Sequence, residues 1–280
     1  MTESFRRKDG RTLTFRRVGA GPTVVCHPGG PGFSSLYLSD LAGLADTFTL
    51  ILLDPRGTAE SEPPEDPGAY TTADYVSDVE DLRRHLGEEQ IQVLGHSHGG
   101  VVAIAYAAAH PERVRRLVVL NSLVRLRPEA MEEIMVRHRD EPWYEDARQA
   151  LQEEGDGQYA SGEDLGEIAG RFWPMYFANY DEAARSYIAE CITPERANPD
   201  ALRVFNEGIE TWDMRPDLAR IVAPTLVLTG TEDFICGPGC ADDIASGIAG
   251  SSKVVIDDCG HFTFVEERER LHEEVTRFLT

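Results

Sequence analysis

Short runs dense in Val, Ile and Leu recur along the chain, at residues 23–26, 49–53, 92–94, 117–120, 225–228 and 253–256. Continuous apolar runs of this length suit strands covered on both faces, and hence a mostly parallel sheet. The segments between them carry helical spacing. Over residues 72–86, Tyr75, Val79, Leu82 and Leu86 fall at steps of four, three and four, which puts them on one face. Thr71 to Asp74 offer an N-cap and early negative charge, and Gly87 ends the pattern. A last helix is predicted over about 266–279, with Leu271, Val275 and Phe278 facing inward. Residues 5–18, around the turn Asp9-Gly10, read as an antiparallel hairpin at the sheet edge.

The alternation breaks between residues 123 and 218. That stretch is helix-like and aromatic, with Trp143, Tyr144, Phe172, Trp173, Tyr176, Phe177, Tyr187 and Trp212. Strand patterns resume at Ala223-Pro224. The expectation is one α/β domain, built from residues 1–122 and 219–280, with a helical cap inserted at 123–218 over the strand ends.

Composition narrows the partners. The chain has 280 residues and a net charge of −22, and residues 126–170 hold thirteen Asp/Glu against four Arg and no Lys. Such a surface disfavours nucleic acid and anionic membrane. A small molecule or short peptide is the expected partner, and the oligomeric state stays open. The longest uncharged apolar run, residues 101–109, is far short of a membrane span. The basic residues near the N-terminus have no apolar segment behind them, so a cytoplasmic location is expected. Five cysteines, Cys26, Cys191, Cys236, Cys240 and Cys259, are odd in number and widely spaced. They suggest packed thiols rather than a disulfide framework. Cys236 and Cys240 have no second Cys/His pair at zinc-finger spacing.

The chemistry centres on Gly95-His96-Ser97-His98-Gly99, a G-x-S-x-G between an apolar strand and an apolar helix. A serine on that turn points its Oγ into open space, and the glycines leave room for helix to pack on strand. Serine at its own pKa is a weak nucleophile and needs a base, which in turn needs an orienting group. His261, in the loop after the strand at 253–256, is the candidate base. Asp233, just past the strand at 225–228, is the candidate orienter. Asn121 also follows a strand, where an acid could serve, but an amide cannot support an imidazolium by charge. Ser97, Asp233 and His261 thus lie at the ends of three different strands, where sites on open α/β sheets form. For an oxyanion hole, the N–H after the nucleophile is that of His98. The loop 27–32 supplies the second donor, assigned to Gly30 because Pro28 and Pro31 have no N–H.

Together these residues resemble the α/β-hydrolase fold superfamily and, within it, the prolyl aminopeptidase (proline iminopeptidase) family. The resemblance runs in order from about residue 15 to 279. Gly29-Gly30-Pro31-Gly32 is similar to that family's H-G-G-P-G loop, and residues 54–61 to its D-x-R-G-x-G-x-S turn. Pro28 stands where the family loop has its histidine, Ala59 replaces a glycine, and His98 stands where a bulky residue is more usual. The resemblance implies a serine hydrolase of small amides or esters working through an acyl-enzyme, with no cofactor. In that family acidic cap residues hold the substrate's free amine; Glu207 is a candidate here, with Glu210, Glu182 and Glu190 open beside it. Gly29 and Trp212 are further candidate substrate contacts. An esterase, lactonase or C–C bond hydrolase is the alternative within the fold, and a non-catalytic ligand sensor on the same scaffold the alternative outside it.

Overall fold

The computed structural model describes residues 2–192 and 197–280; residues 1 and 193–196, the latter within the expected cap, lie outside the described residues. Eight strands are present: β1 Thr2–Arg6, β2 Thr12–Val18, β3 Thr23–His27, β4 Thr49–Asp54, β5 Ile91–His96, β6 Val114–Leu120, β7 Thr225–Gly230 and β8 Ser252–Ile256. They form one sheet in the order β1-β2-β4-β3-β5-β6-β7-β8. β1 and β2 make the edge hairpin and pair antiparallel with each other and with β4, while every pair from β4 to β8 is parallel.

The apolar runs are double-faced for a reason that the pleat makes plain. Successive side chains point to opposite faces. Val24, Cys26, Leu50, Leu52 and Leu94 enter one hydrophobic core, and Val25, Ile51, Leu53 and Val93 enter the other. Helices α1 Thr72–His85 and α2 His98–Ala109 cover the second face through Tyr75, Val79, Leu82, Val101 and Val102. The start of α1 is fixed by a capping box in which Thr71 and Asp74 satisfy each other's backbone N–H.

Between β6 and β7 the chain forms α3 Pro128–Met135, α4 Tyr144–Gly155, α5 Gly162–Phe172, α6 Glu182–Tyr187 and α7 Pro199–Asn206. The segment leaves and re-enters the core at a pinch, where the backbones of Arg125 and Asp213 form an isolated antiparallel β-bridge and the Met214 N–H donates to the Val124 carbonyl at 2.8 Å. The next helix, α8 Arg215–Leu218, falls within the sequence-based cap boundary of 218. It packs instead on α2 and on α9 Pro238–Gly247, both parts of the core. Buried cap residues such as Phe172, Trp173 and Phe177 are continuous with the first core.

The C-terminal helix is not one unit. α10 Thr263–Glu266 and α11 Arg268–Leu279 are separated at Glu267, whose φ of −126° and ψ of 52° are not helical. The break lets the Glu266 carboxylate turn back beneath the loop that precedes it. There it accepts the N–H groups of Gly260 at 2.7 Å and Ala178 at 2.8 Å. Among the described residues no helix is long and apolar enough to cross a membrane.

Candidate active site

Because β3, β5, β6, β7 and β8 are adjacent and parallel, the loops leaving their C-terminal ends converge on one rim of the sheet. Ser97 joins β5 to α2 with φ 56° and ψ −124°, a conformation that a non-glycine residue adopts only when its surroundings impose it. Its N–H donates to the Leu120 carbonyl at 3.0 Å, and its own carbonyl accepts the Ser122 hydroxyl at 2.7 Å. The end of β6 therefore clamps the Ser97 backbone from both sides. Gly95 and Gly99 are required by close approach: a Cβ on Gly95 would run into the Gly99 carbonyl, and one on Gly99 into the His27 carbonyl.

His261 Nδ1 lies 2.8 Å from Asp233 Oδ2, with His261 3% exposed and Asp233 fully buried. The Asp233 carboxylate is saturated. Its Oδ1 accepts the Cys236 N–H at 2.9 Å and the Ile235 N–H at 3.2 Å, and its Oδ2 accepts the Asn121 amide at 2.9 Å as well as His261. Burial alone would push this carboxyl up, but the charge and hydrogen bond of His261, with the Cys236 and Asn121 donors, bring it below the ordinary value. With Nδ1–H given to Asp233, the other ring nitrogen of His261 is left free to act as a base toward the cavity that His261 and Ser97 both line.

Asn121 does more than occupy a strand end. Its amide also donates to the Gly260 carbonyl at 3.2 Å, and its carbonyl accepts the Thr263 hydroxyl at 2.6 Å, so it grips the chain on both sides of His261. The sequence marks this position only as unsuitable for an acid's role; its value as a donor to Asp233 needs the fold to be seen.

Asp233, Cys236 and His261 bring three potential ligand atoms within 4.8 Å of one another. The donor set does not suit a cation. The Asp233 oxygens are already engaged, and burial holds the Cys236 thiol well above its usual value, hence protonated.

Ser97, His98, Gly30 and His261 line a cavity of about 520 Å³ beneath the cap. Its walls are mainly apolar, with Phe33, Phe172, Trp173, Tyr176, Phe205 and Phe262 among them. The N–H groups of Gly30 and His98 have no acceptor among the described residues. The first N–H groups of a helix are left without intrahelical partners, and that of His98 is one of them. The His98 ring is buried, and burial takes it down to about 3, so it is neutral.

Three expected substrate contacts lie elsewhere. Gly29 sits behind the cavity, where its N–H donates to Tyr37 Oη at 2.5 Å and a Cβ would meet the Ser97 Cβ at 2.7 Å. Glu207 caps the C-terminal end of α7 and faces outward; Gly208, with φ 75°, reverses the chain after it. Trp212 packs against Phe205 at 5.9 Å and on the cluster of Leu123, Cys236 and Cys240. None of the three lines the cavity, nor do Glu182 and Glu190, whereas Glu210 does.

The carboxylate that sequence reasoning missed is Glu154, which also lines the cavity. It is partly buried in the last turn of α4, at the negative end of the helix dipole. Its side chain has no hydrogen-bond or ion-pair partner among the described residues, and burial pushes its carboxyl up to about 7.

Comparison with known proteins follows the same lines. A family model described as alpha/beta hydrolase fold matches residues 22–268. A proline iminopeptidase of Saccharolobus solfataricus is 28% identical over 275 residues, covering 95% of this chain and 87% of the relative. The structure of a thermophilic esterase from Thermogutta terrifontis superposes with a TM-score of 0.74 at 26% identity, over 100% of this chain and 98% of the other. A proline iminopeptidase structure from Mycobacterium smegmatis shares the fold, with a TM-score of 0.78 at 22% identity over 100% of this chain and 97% of the other.

Proposed function

The chain belongs to the alpha/beta hydrolase fold family, and from that premise we propose that it is a serine hydrolase acting through Ser97, His261 and Asp233. His261 takes the proton of the Ser97 hydroxyl as the oxygen attacks an ester or amide carbonyl. The Gly30 and His98 N–H groups receive the oxyanion, and Asp233 holds the imidazolium in place. Collapse of the tetrahedral adduct breaks the bond to the leaving group, which takes the proton from His261. Water, deprotonated by the same histidine, then clears the acyl-enzyme. The observation that carries this reading is the saturated Asp233–His261 pair set beside a Ser97 held at positive φ on the same cavity.

For substrate we propose a small N-terminal aminoacyl amide or ester, in the manner of a proline iminopeptidase. An unpaired carboxylate in an apolar, aromatic cavity is costly unless a ligand compensates it. Glu154 is so placed, and a protonated amine is the complement it lacks. The apolar walls favour a second reading, an esterase of neutral substrates, in which Glu154 would be held in its protonated form. A panel of prolyl and alanyl p-nitroanilides against p-nitrophenyl esters separates them. Aminopeptidase activity requires cleavage of the anilides and its loss when the substrate amine is acetylated. Cleavage of esters alone gives the esterase.

A further inference from the structure

Tyr37 belongs to no motif, yet it stands between the functional loops. It lies on the short helical turn Ser35–Leu38 and is 4% exposed. Its Oη is 2.5 Å from the Gly29 nitrogen and 2.8 Å from Nδ1 of His96, and Nε2 of His96 is 3.0 Å from the carbonyl oxygen of His261. The direction of each bond follows from the ends of the chain. The His261 carbonyl can only accept, so Nε2 of His96 carries the hydrogen. A neutral imidazole then has a bare Nδ1, which accepts the Tyr37 hydroxyl. The Tyr37 oxygen in turn accepts the Gly29 N–H. Every donor in the series meets one acceptor, and all the groups are buried.

We propose that Tyr37 and His96 are a positioning pair for catalysis, a buried hydrogen-bond chain that ties the oxyanion loop after β3 and the nucleophile turn after β5 to the histidine loop after β8. The inference rests on the serine hydrolase reading above. Gly29 immediately precedes Gly30, whose φ of 110° lies outside the range favoured by L residues. A loop so held needs an anchor if its N–H is to meet a developing oxyanion, and the Tyr37 oxygen is that anchor. His96 immediately precedes Ser97, so the same chain fixes the nucleophile's backbone relative to Gly29. Burial takes His96 down to about 3 and pushes the Tyr37 phenol up. Both stay neutral while the enzyme works, so the pair serves as a fixed strut and not as a proton relay.

The test is Tyr37→Phe, which keeps the ring and removes only the hydroxyl. The pair positions the loop whose N–H meets the oxyanion, which is absent from the bound substrate and develops only on attack, so kcat should fall roughly tenfold to a hundredfold with KM little changed. Affinity for a trifluoromethyl ketone, which forms a tetrahedral adduct on serine, should fall in proportion, while a ground-state competitive inhibitor should bind as before. His96→Phe should lose about as much, and the double variant no more than either single one, because the two groups act as one chain. His96→Asn, which returns an acceptor for the Tyr37 hydroxyl, should recover part of kcat. Wild-type turnover confirmed by active-site titration establishes the serine reading independently. Given that, unchanged kcat in Tyr37→Phe, a loss confined to KM, or fully additive losses in the double variant would overturn the proposal.

Discussion

The Asn121 side-chain amide donates at 2.9 Å to Oδ2 of Asp233, the same oxygen that receives His261 Nδ1 at 2.8 Å. An amide cannot replace an acid, but here it supports one, and it does so from a residue held at φ 46°. Asparagine tolerates that region better than most residues. Replacing Asn121 with Ala should therefore cost on two counts: backbone strain, and the buried Thr263 and Gly260 groups left unpaired. Together we expect about 1–3 kcal/mol. Urea unfolding at neutral pH measures it. The pH dependence has a definite sign. The folded-state carboxyl of Asp233 is lowered, so its contribution is present above the unfolded value of about 3.9 and lost as pH falls through the folded one. Asn121 is part of what lowers it, so the gap between wild type and variant should narrow on the acid side.

Glu154 should set the preference for charged substrates. Its carboxyl is raised by burial to about 7, so in the free enzyme the anion that attracts an amine grows in as pH rises through that value. The ratio of kcat/KM for an aminoacyl anilide to that for a neutral ester should increase as pH rises toward that value and fall again once the substrate's amine, at about 8, loses its proton. Any ionisation that acts on the shared acylation chemistry affects both substrates and cancels in the ratio. Glu154→Gln should flatten the ratio and lower anilide kcat/KM about tenfold or more, as expected for losing a hydrogen bond to a charged group of about 1.5–3 kcal/mol. Steady-state kinetics of wild type and variant across pH 5.5–8.5, roughly the window over which such a group titrates, gives the answer.

Glu266 should hold the cap to the histidine loop. Its Oε1 accepts the Ala178 and Asn179 N–H groups at 2.8 and 3.3 Å, and its Oε2 accepts that of Gly260 at 2.7 Å. The His261 N–H adds a bond to the Tyr176 carbonyl at 2.7 Å. Glu266→Ala leaves three donors without an acceptor. Amide hydrogen exchange should then accelerate at 176–179 and 259–261, by about 1–3 kcal/mol of lost protection, while strands β3 to β6 remain as protected as before.

Local patterns announced the framework and concealed the substrate. Apolar runs of three to five residues mark strands because both faces of the sheet are covered, so no polar alternation interrupts them. The Ser97, Asp233 and His261 loops stand out because each follows such a run. Glu154 could not be found that way: Glu153 and Glu154 close an acidic helix and read as a solvated face, and only the packing of the cap turns one of them inward. Glu207 and Glu210 are near neighbours in one acidic stretch, yet the reversal at Gly208 sends the first outward and leaves the second on the cavity. Tyr37 carries no signal at all, since its role depends on contacts with residues 29 and 96 that meet only in the folded sheet. Helicity continues through α8, and nothing in its sequence says that it packs on the core.

The central claim is that Ser97 is the nucleophile that becomes acylated. Incubation with a fluorophosphonate, followed by intact mass measurement and peptide mapping, tests it directly. The account predicts one adduct per chain, located on Ser97, absent from Ser97→Ala, and formed in step with loss of esterase activity. Full activity in Ser97→Ala, or an adduct on another residue that tracks inactivation, would contradict it.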